Sequence, residues 1–379
     1  MFDIDTELLP VDQESRDLIC IGNMSKHKLK VQFSVISGCD YYEIRTVPSI
    51  VTLKRGFACE FEIFIKPLCS CKIVDNVLVT GLDINSGEIK EGKIAIETNT
   101  ENSTKLFYQE IEETKKLGEG SFGIVYKGLY RGNDVAIKKM KESKQTAKNM
   151  EEFENEVSML DKFRSEYLVH FFGAVFVPNK ICMVTEFAKY GSIQDLMKHK
   201  NSNEIDLNLR VKFMLNGAEG ILYLHENGIL HRDIKPDNFL IFSLDPNEKV
   251  NAKLTDFGSA RNINMLMTNM TFTKGIGTPK YMAPEVLNKK KYKKSADVFS
   301  FGVTLYECFS WKMAYQKDDV RFKFAWGIAD FITSGKRLEN ITNISKEMND
   351  LISKCWVQEQ EKRLTIQEVV GTLQNLNQR

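Results

Sequence analysis

The sequence contains no run of about 18 or more apolar residues, so it encodes no membrane-spanning helix. It has almost no net charge. Fifty-two Lys and Arg stand against 51 Asp and Glu, leaving +1, and bulk electrostatics gives no case for nucleic acid as a partner. The opening Met1-Phe2-Asp3-Ile4-Asp5 lacks the basic-then-apolar order of a signal peptide. No internal repeat or low-complexity tract is visible. Eight cysteines are present, five of them in the first 71 residues (20, 39, 59, 69 and 71), a density that would suit a secreted disulfide framework if a signal peptide were there. Cys69-Ser70-Cys71 is too close for an easy disulfide and has no second ligand pair for zinc. All eight are expected to be reduced thiols, most of them buried.

What is present is enough for two domains. The chain has 379 residues, 42% hydrophobic and 27% charged, the balance of a soluble globular protein. Charge divides unevenly. Residues 1–108 hold 12 basic and 16 acidic residues, and the remainder holds 40 and 35. The second half is therefore mildly basic, but the excess is small.

Residues 18–100 alternate with period two. Leu29, Val31, Phe33 and Val35 interleave with Lys30, Gln32 and Ser34, and Phe61, Ile63 and Ile65 with Glu62, Phe64 and Lys66. Val77 and Val79, then Ile94 and Ile96, continue the pattern. Such alternation means strands with one face on a core. Turn signals separate them at Ser37-Gly38-Cys39-Asp40, Lys54-Arg55-Gly56 and Asn85-Ser86-Gly87. The expectation is an antiparallel β-sandwich. A polar linker begins at 99, and from Ile111 short strands give way to helical periodicity. Lys289–Lys294, broken by Tyr292, reads as a solvated loop.

The chemistry lies in this second part. His231-Arg232-Asp233-Ile234-Lys235-Pro236-Asp237-Asn238 precedes Asp256-Phe257-Gly258. Together they supply a carboxylate that can take a hydroxyl proton, an amide and a second carboxylate that can hold Mg²⁺, and a lysine that can meet a phosphate. Phosphoryl transfer from ATP needs that set. Gly118-Glu119-Gly120-Ser121-Phe122-Gly123-Ile124-Val125 is a glycine-rich hairpin whose N–H groups could approach phosphate oxygens. A dinucleotide-binding loop should open a helix, whereas Ile124-Val125-Tyr126-Lys127 continues as strand. Val135-Ala136-Ile137-Lys138 follows.

These segments, in this order, resemble a eukaryotic protein kinase domain over about 111–377. The resemblance implies an α+β, bilobal protein kinase fold for 111–377, preceded by an all-β immunoglobulin-like sandwich over 1–105. The order of Gly22-Asn23-Met24-Ser25, Val47-Pro48-Ser49-Ile50-Val51 and Phe64-Ile65-Lys66-Pro67 is similar to immunoglobulin-like domains of the major-sperm-protein kind. By resemblance Asp233 accepts the substrate proton and Lys235, typical of serine/threonine kinases, neutralises the moving phosphate. Asn238 and Asp256 are the Mg²⁺ ligands. Leu117, Gly118, Gly120 and Gly123 form the loop over ATP. Lys138 holds its phosphates, positioned by Glu156, with Glu154 as runner-up. Val125, Ala136 and Leu240 enclose the adenine, Glu186 to Ala188 form the hinge, and Thr185 is the gatekeeper. His231 is expected to pack rather than act as a base. Leu160, Phe171, His231 and Phe257 align with the four stacked side chains of the active state.

The same resemblance makes Thr278 a contact of the catalytic pair, pairs Glu285 with Arg363, and sets Asp297 against the catalytic-loop backbone. Arg232 implies a phosphate on the activation segment, on Thr273 or Thr271, with Thr268 the third candidate. Ile352–Trp356 and Trp326–Ala329 point to the tyrosine-kinase-like group, while Arg337-Leu338 and Arg363-Leu364 depart from its usual Arg-Pro. The expected function is ATP- and Mg²⁺-dependent phosphorylation of serine or threonine on protein substrates in the cytoplasm, by a whole protein or the intracellular portion of a membrane-anchored kinase. A non-catalytic scaffold and a dual-specificity or tyrosine kinase are the alternatives. The β-domain is expected to bind a protein partner.

Overall fold

A computed structural model of the chain describes residues 8–34, 39–120, 123–144, 146–256, 260–262, 279–316 and 318–378. It divides into two compact units. One comprises Met1–Gln145 with Phe172–Val184, the other Thr146–Phe171 with Thr185–Arg379.

The first unit begins with seven strands: β1 (Ser15–Gly22), β2 (Leu29–Ser34), β3 (Tyr42–Val47), β4 (Ile50–Leu53), β5 (Ala58–Pro67), β6 (Lys72–Asp83) and β7 (Ile89–Asn99). They form a three-stranded sheet, β1-β5-β3, and a four-stranded sheet, β4-β2-β6-β7. Their pairings are antiparallel. The alternating apolar residues of both sheets meet in one core of Val31, Phe33, Phe61, Ile63, Ile65, Ile73, Val77 and Ile96. Phe33 and Phe61, one from each sheet, have ring centroids 4.7 Å apart. Burying each such ring contributes about 1.5–3 kcal/mol. The turn at Asn85-Ser86-Gly87 closes because Asp83 Oδ1 accepts from the Asn85 and Ser86 N–H groups at 2.9 and 3.1 Å.

A third sheet follows: β8 (Ile111–Glu119), β9 (Gly123–Tyr130), β10 (Asn133–Met140), β11 (Phe171–Val175) and β12 (Cys182–Glu186), in the order β11-β12-β10-β9-β8. One face buries Ile111, Tyr130, Val135, Ile137, Val175, Cys182 and Val184 with Leu106 from the connecting segment. Main-chain bonds tie that connector to both neighbours. Ser70 N–H donates to the Lys105 carbonyl (2.9 Å), Leu106 N–H to Ala174 (2.9 Å), and Ala174 N–H to Thr104 (2.7 Å).

The second unit is mostly helical: α1 (Ala147–Lys162), α2 (Ile193–His199), α3 (Leu207–Glu226), α4 (Pro284–Leu287), α5 (Lys294–Ser310), α6 (Ala325–Thr333), α7 (Lys346–Cys355) and α8 (Ile366–Asn377). Thr146 caps α1 by accepting from Asn149 N–H, and Asp206 caps α3 by accepting from Leu209 N–H. Helix α5 is apolar nearly all round, and Val298, Phe299, Phe301, Val303 and Leu305 are wholly buried, so it is the central post of this unit. Short strands β13 (Ile229–Leu230), β14 (Phe239–Ile241) and β15 (Ala252–Leu254) carry the loops between them, with β14 and β15 paired antiparallel. No helix among the described residues is long and apolar enough to cross a membrane.

Candidate active site

The site residues of the first unit sit on β8, β9 and β10. Val125 opposes Lys138 in the β9–β10 ladder and Gly118 in the β8–β9 ladder. Directly opposed residues share a face, and side chains alternate along a strand. Gly118, Val125, Ala136 and Lys138 therefore lie on one face, while Val135 and Ile137 go to the core on the other. The hairpin tip closes through Gly120 N–H to the Gly123 carbonyl at 2.8 Å. The glycines differ in what holds them. A Cβ on Gly123 would lie 2.1 Å from the Lys139 carbonyl oxygen, so this glycine is required by strand packing. A Cβ on Gly118 or Gly120 would meet no atom within 4 Å. Their bareness is not needed by the protein's own packing, which leaves an open cradle suited to a phosphate chain. Leu117 is exposed.

In the second unit, Glu156 is buried on α1 whereas Glu154 is exposed, so the helix turns the favoured glutamate inward. Thr185 and Glu186 are half-buried and Ala188 is buried. The Glu186 carboxylate is engaged, accepting from Lys253 Nζ at 2.7 and 2.9 Å and from His170 N–H at 2.6 Å. Its own N–H donates to the His170 carbonyl at 2.9 Å. Leu240 is half-buried on β14, between buried Phe239 and Ile241.

The catalytic loop leaves β13 and is pinned from several sides. Lys235 Nζ donates to Asp233 Oδ2 at 2.6 Å. Asn238 Nδ2 donates to the Asp233 carbonyl at 2.7 Å, so the amide's oxygen is left as its acceptor end. That oxygen and the Asp256 carboxylate are hard donors of the kind a divalent cation such as Mg²⁺ takes. Asp256 has φ +65°, a left-handed conformation that few residues other than glycine adopt. His231 Nε2 faces the Thr255 carbonyl at 2.9 Å, which can only accept, and His231 Nδ1 faces Asp233 N–H at 3.3 Å. Its proton therefore belongs on Nε2, and both ring nitrogens are spent on holding the loop. The expectation of a packing residue rather than a base agrees with this geometry.

Beneath the loop, Asp297 is wholly buried and accepts four hydrogen bonds. Oδ1 takes Arg232 N–H (2.9 Å) and the Tyr292 hydroxyl (2.8 Å), and Oδ2 takes His231 N–H (3.0 Å) and His225 Nε2–H (2.9 Å). Burial alone would raise its pKa; the donors, His225 foremost, hold it below the ordinary value. Arg232, at φ +72°, places its guanidinium 5.6 Å from the Tyr292 ring centroid. Glu285 and Arg363 form a buried bidentate pair at 2.6 and 2.7 Å. Both structural contacts read from the sequence, Asp297 on the loop backbone and Glu285 on Arg363, are present. The partners His225 and Tyr292 were not anticipated, nor was buried Glu307, which accepts from Lys280 Nζ (3.0 Å), the Tyr281 hydroxyl (2.7 Å) and Ala314 N–H (2.7 Å). The only hint was adjacency: Tyr292 lies five residues before Asp297, and His225 ends the helix leading to the loop. Phe257, Gly258, Thr268, Thr271, Thr273 and Thr278 lie outside the described residues. Leu160, Phe171 and His231 are each buried.

A family model described as the protein kinase domain matches residues 111–373, and the chain belongs to that family. Membership implies ATP as phosphoryl donor, generally with a divalent metal, and proteins as acceptors. Among relatives, the chain is 30% identical over 316 residues to the probable serine/threonine-protein kinase gdt9 of Dictyostelium discoideum, a match covering 76% of this chain and 19% of that protein. It is 31% identical over 294 residues to the serine/threonine-protein kinase STY17 of Arabidopsis thaliana, covering 78% and 49%. A 26% match to the probable serine/threonine-protein kinase gdt2 of Dictyostelium discoideum runs over 362 residues, 95% of this chain and 21% of the other. The chain spans less than half the length of each of these relatives.

Proposed function

We propose that the chain transfers the γ-phosphoryl group of ATP to serine or threonine hydroxyls of protein substrates. The observation that carries this is the Asp233–Lys235 pair at 2.6 Å, on a loop whose backbone is fixed by Asn238 and Asp297. The substrate hydroxyl attacks the γ-phosphorus in line. Asp233 orients it and receives its proton. Lys235 bears the charge of the moving group, and Lys138, positioned by Glu156, holds the α/β-phosphates. Asn238 and Asp256 would hold Mg²⁺, which when bound neutralises phosphate oxygens that side chains alone neutralise poorly. Gly118 and Gly120 admit the phosphates, Val125, Ala136 and Leu240 enclose the base, and the hinge from Glu186 to Ala188 reads its edge behind Thr185.

Phosphorylation at Thr271 or Thr273 completes activation through Arg232. The kinase domain occupies 111–377, and the sandwich over 1–105, read as immunoglobulin-like, serves a protein partner. The setting is cytoplasmic. The test is the purified chain with Mg·ATP and a generic protein substrate, followed by phosphoamino-acid analysis. Phosphoserine or phosphothreonine is expected. ATP binding without transfer would favour a scaffold, and phosphotyrosine alone would overturn the residue preference.

A further inference from the structure

The lysine run Lys289–Lys294 borders a cavity that holds none of the residues assigned to ATP or to phosphoryl transfer. The cavity, about 830 Å³, lies in the second unit between the end of α3, the start of α5 and the turn that leads into α8. Its size falls within the roughly 300–1,000 Å³ of small-molecule sites. Leu222, Leu230, Val298, Leu364 and Ile366 give it an aliphatic lining. The donors of its inner wall are already spent. His225 Nε2–H and the Tyr292 hydroxyl donate to Asp297 at 2.9 and 2.8 Å, and Arg363 holds Glu285 at 2.6 and 2.7 Å. Gln360 adds an amide oxygen that is buried without a partner among the described residues, an acceptor that cannot hold an anion.

The rim is charged. Lys291, Lys293 and Lys294 stand exposed along it, with Glu226 and Glu361. Glu361 is engaged, by Lys293 Nζ at 3.7 Å and by Gln360 Nε2 at 2.6 Å. Lys291 and Lys294 make no ion pair among the described residues. A guest with one apolar chain and one negative end therefore meets both halves of the site, the aliphatic wall for its chain and two unclaimed ammonium groups for its end. A peptide would bring a main-chain N–H and C=O at every residue into a lining whose own donors are occupied. That carries a desolvation cost which an alkyl chain does not incur.

We propose that this cavity binds the alkyl chain of a free fatty acid, with the carboxylate on Lys291 and Lys294, and that an occupied cavity steadies the catalytic loop. The link runs through Tyr292. The segment from Asn288 to Lys293 joins α4 to α5 outside helix or strand, and Lys293 at the N-cap of α5 makes no side-chain capping bond. Tyr292 fastens that segment to Asp297, whose other bonds hold the His231 and Arg232 amides. An alkyl chain packed against Tyr292 and His225 fills the space into which either side chain could swing. Asp297 then keeps its donors for a larger fraction of the time, and the loop amides open less often.

The test is calorimetric titration of the full chain with octanoate, decanoate and dodecanoate, each below its aggregation concentration, and with decanol and decylammonium as chain-matched probes. The expected result is saturable one-to-one binding that tightens about threefold to fourfold per added methylene. Decanoate should bind more tightly than decanol, and decylammonium most weakly. Lys291→Glu combined with Lys294→Glu should weaken decanoate about fivefold or more and leave decanol unchanged. Leu222→Trp should remove binding of both. Amide hydrogen exchange at saturating dodecanoate should slow at 291–295 and 364–367, and by about threefold or more at His231 and Arg232. The proposal fails if decanoate binding does not saturate, if decylammonium binds as tightly as decanoate, if protection falls on other segments, or if exchange at His231 and Arg232 is unchanged in the bound chain. It fails too if an acidic amphipathic peptide protects 291–295 where decanoate does not, for the occupant is then a protein. Wild-type titration and exchange decide the matter even if Leu222→Trp does not fold, and none of these readouts depends on phosphoryl transfer.

Discussion

Replacing Asp297 by Asn tests how the catalytic loop is held. Each carboxylate oxygen serves two donors, so an amide must turn its NH₂ toward one pair. Facing Oδ2's partners, it can be accommodated by His225, which can move its proton to Nδ1 and accept, but the His231 N–H is orphaned. Facing Oδ1's partners, it can donate to a rotated Tyr292 hydroxyl, but the Arg232 N–H is orphaned. Either way one buried loop amide loses its acceptor, at a cost of roughly 1–3 kcal/mol. The bonds that survive change from charged to neutral acceptors and lose about half their strength, adding on the order of 2 kcal/mol. The total is roughly 3–5 kcal/mol, a fall in melting temperature of about 10 °C for a unit of this size. Because the orphaned amide lies one or two residues before Asp233, kcat should drop on the order of 100-fold with KM for ATP little changed. Thermal melts and steady-state kinetics give both numbers. A variant that melts within about 2 °C of wild type and turns over normally would refute the reasoning.

The same carboxylate sets a pH dependence. Its folded pKa lies below its ordinary value of 3.8, so its stabilisation is fully present above that value and is lost as pH falls through the lower folded value. Acid titration of wild type should show unfolding steepening below about pH 4, and Asp297→Asn should lack that component. Gly118→Ala and Gly123→Ala should part company. The first meets no atom, so it should melt like wild type while raising KM for ATP. The second drives Cβ against the Lys139 carbonyl and should lower the melting temperature. Arg363→Met strands the buried Glu285 carboxylate and should cost about 3–5 kcal/mol, whereas the Glu285→Gln, Arg363→Met double variant should recover most of it in denaturant melts. Lys138→Met should lower kcat through misaligned phosphates; equal kcat in mutant and wild type would contradict its role.

Much of the site was legible because its chemistry demands particular groups at short spacing. Asp233, Lys235 and Asn238 fall within six residues, and the structure joins them by hydrogen bonds. Period-two alternation found β2, β5, β6 and β7, where two or more apolar residues recur in succession on the inward face. It did not name β1, β3 or β4: β1 has no fully buried residue, β3 has only Tyr42, and β4 is four residues long. His225 and Tyr292 were invisible for a different reason. Nothing local distinguishes a helix-end histidine or a loop tyrosine from a solvated one, and Tyr292 sits in a lysine-rich run that reads as surface. Their role exists only because α3 and α5 converge on Asp297. Likewise nothing in Cys69-Ser70-Cys71 announces that Ser70 N–H donates to the Lys105 carbonyl; only the connector's approach supplies that partner.

The most direct measurement is phosphate transfer by the purified chain from Mg·ATP to a protein substrate, run beside Asp233→Asn. Wild type should yield phosphoserine or phosphothreonine, and the variant should bind ATP with near-normal affinity yet lose turnover by at least about 1,000-fold. Turnover in the variant close to that of wild type would contradict the assignment of Asp233 as the proton acceptor.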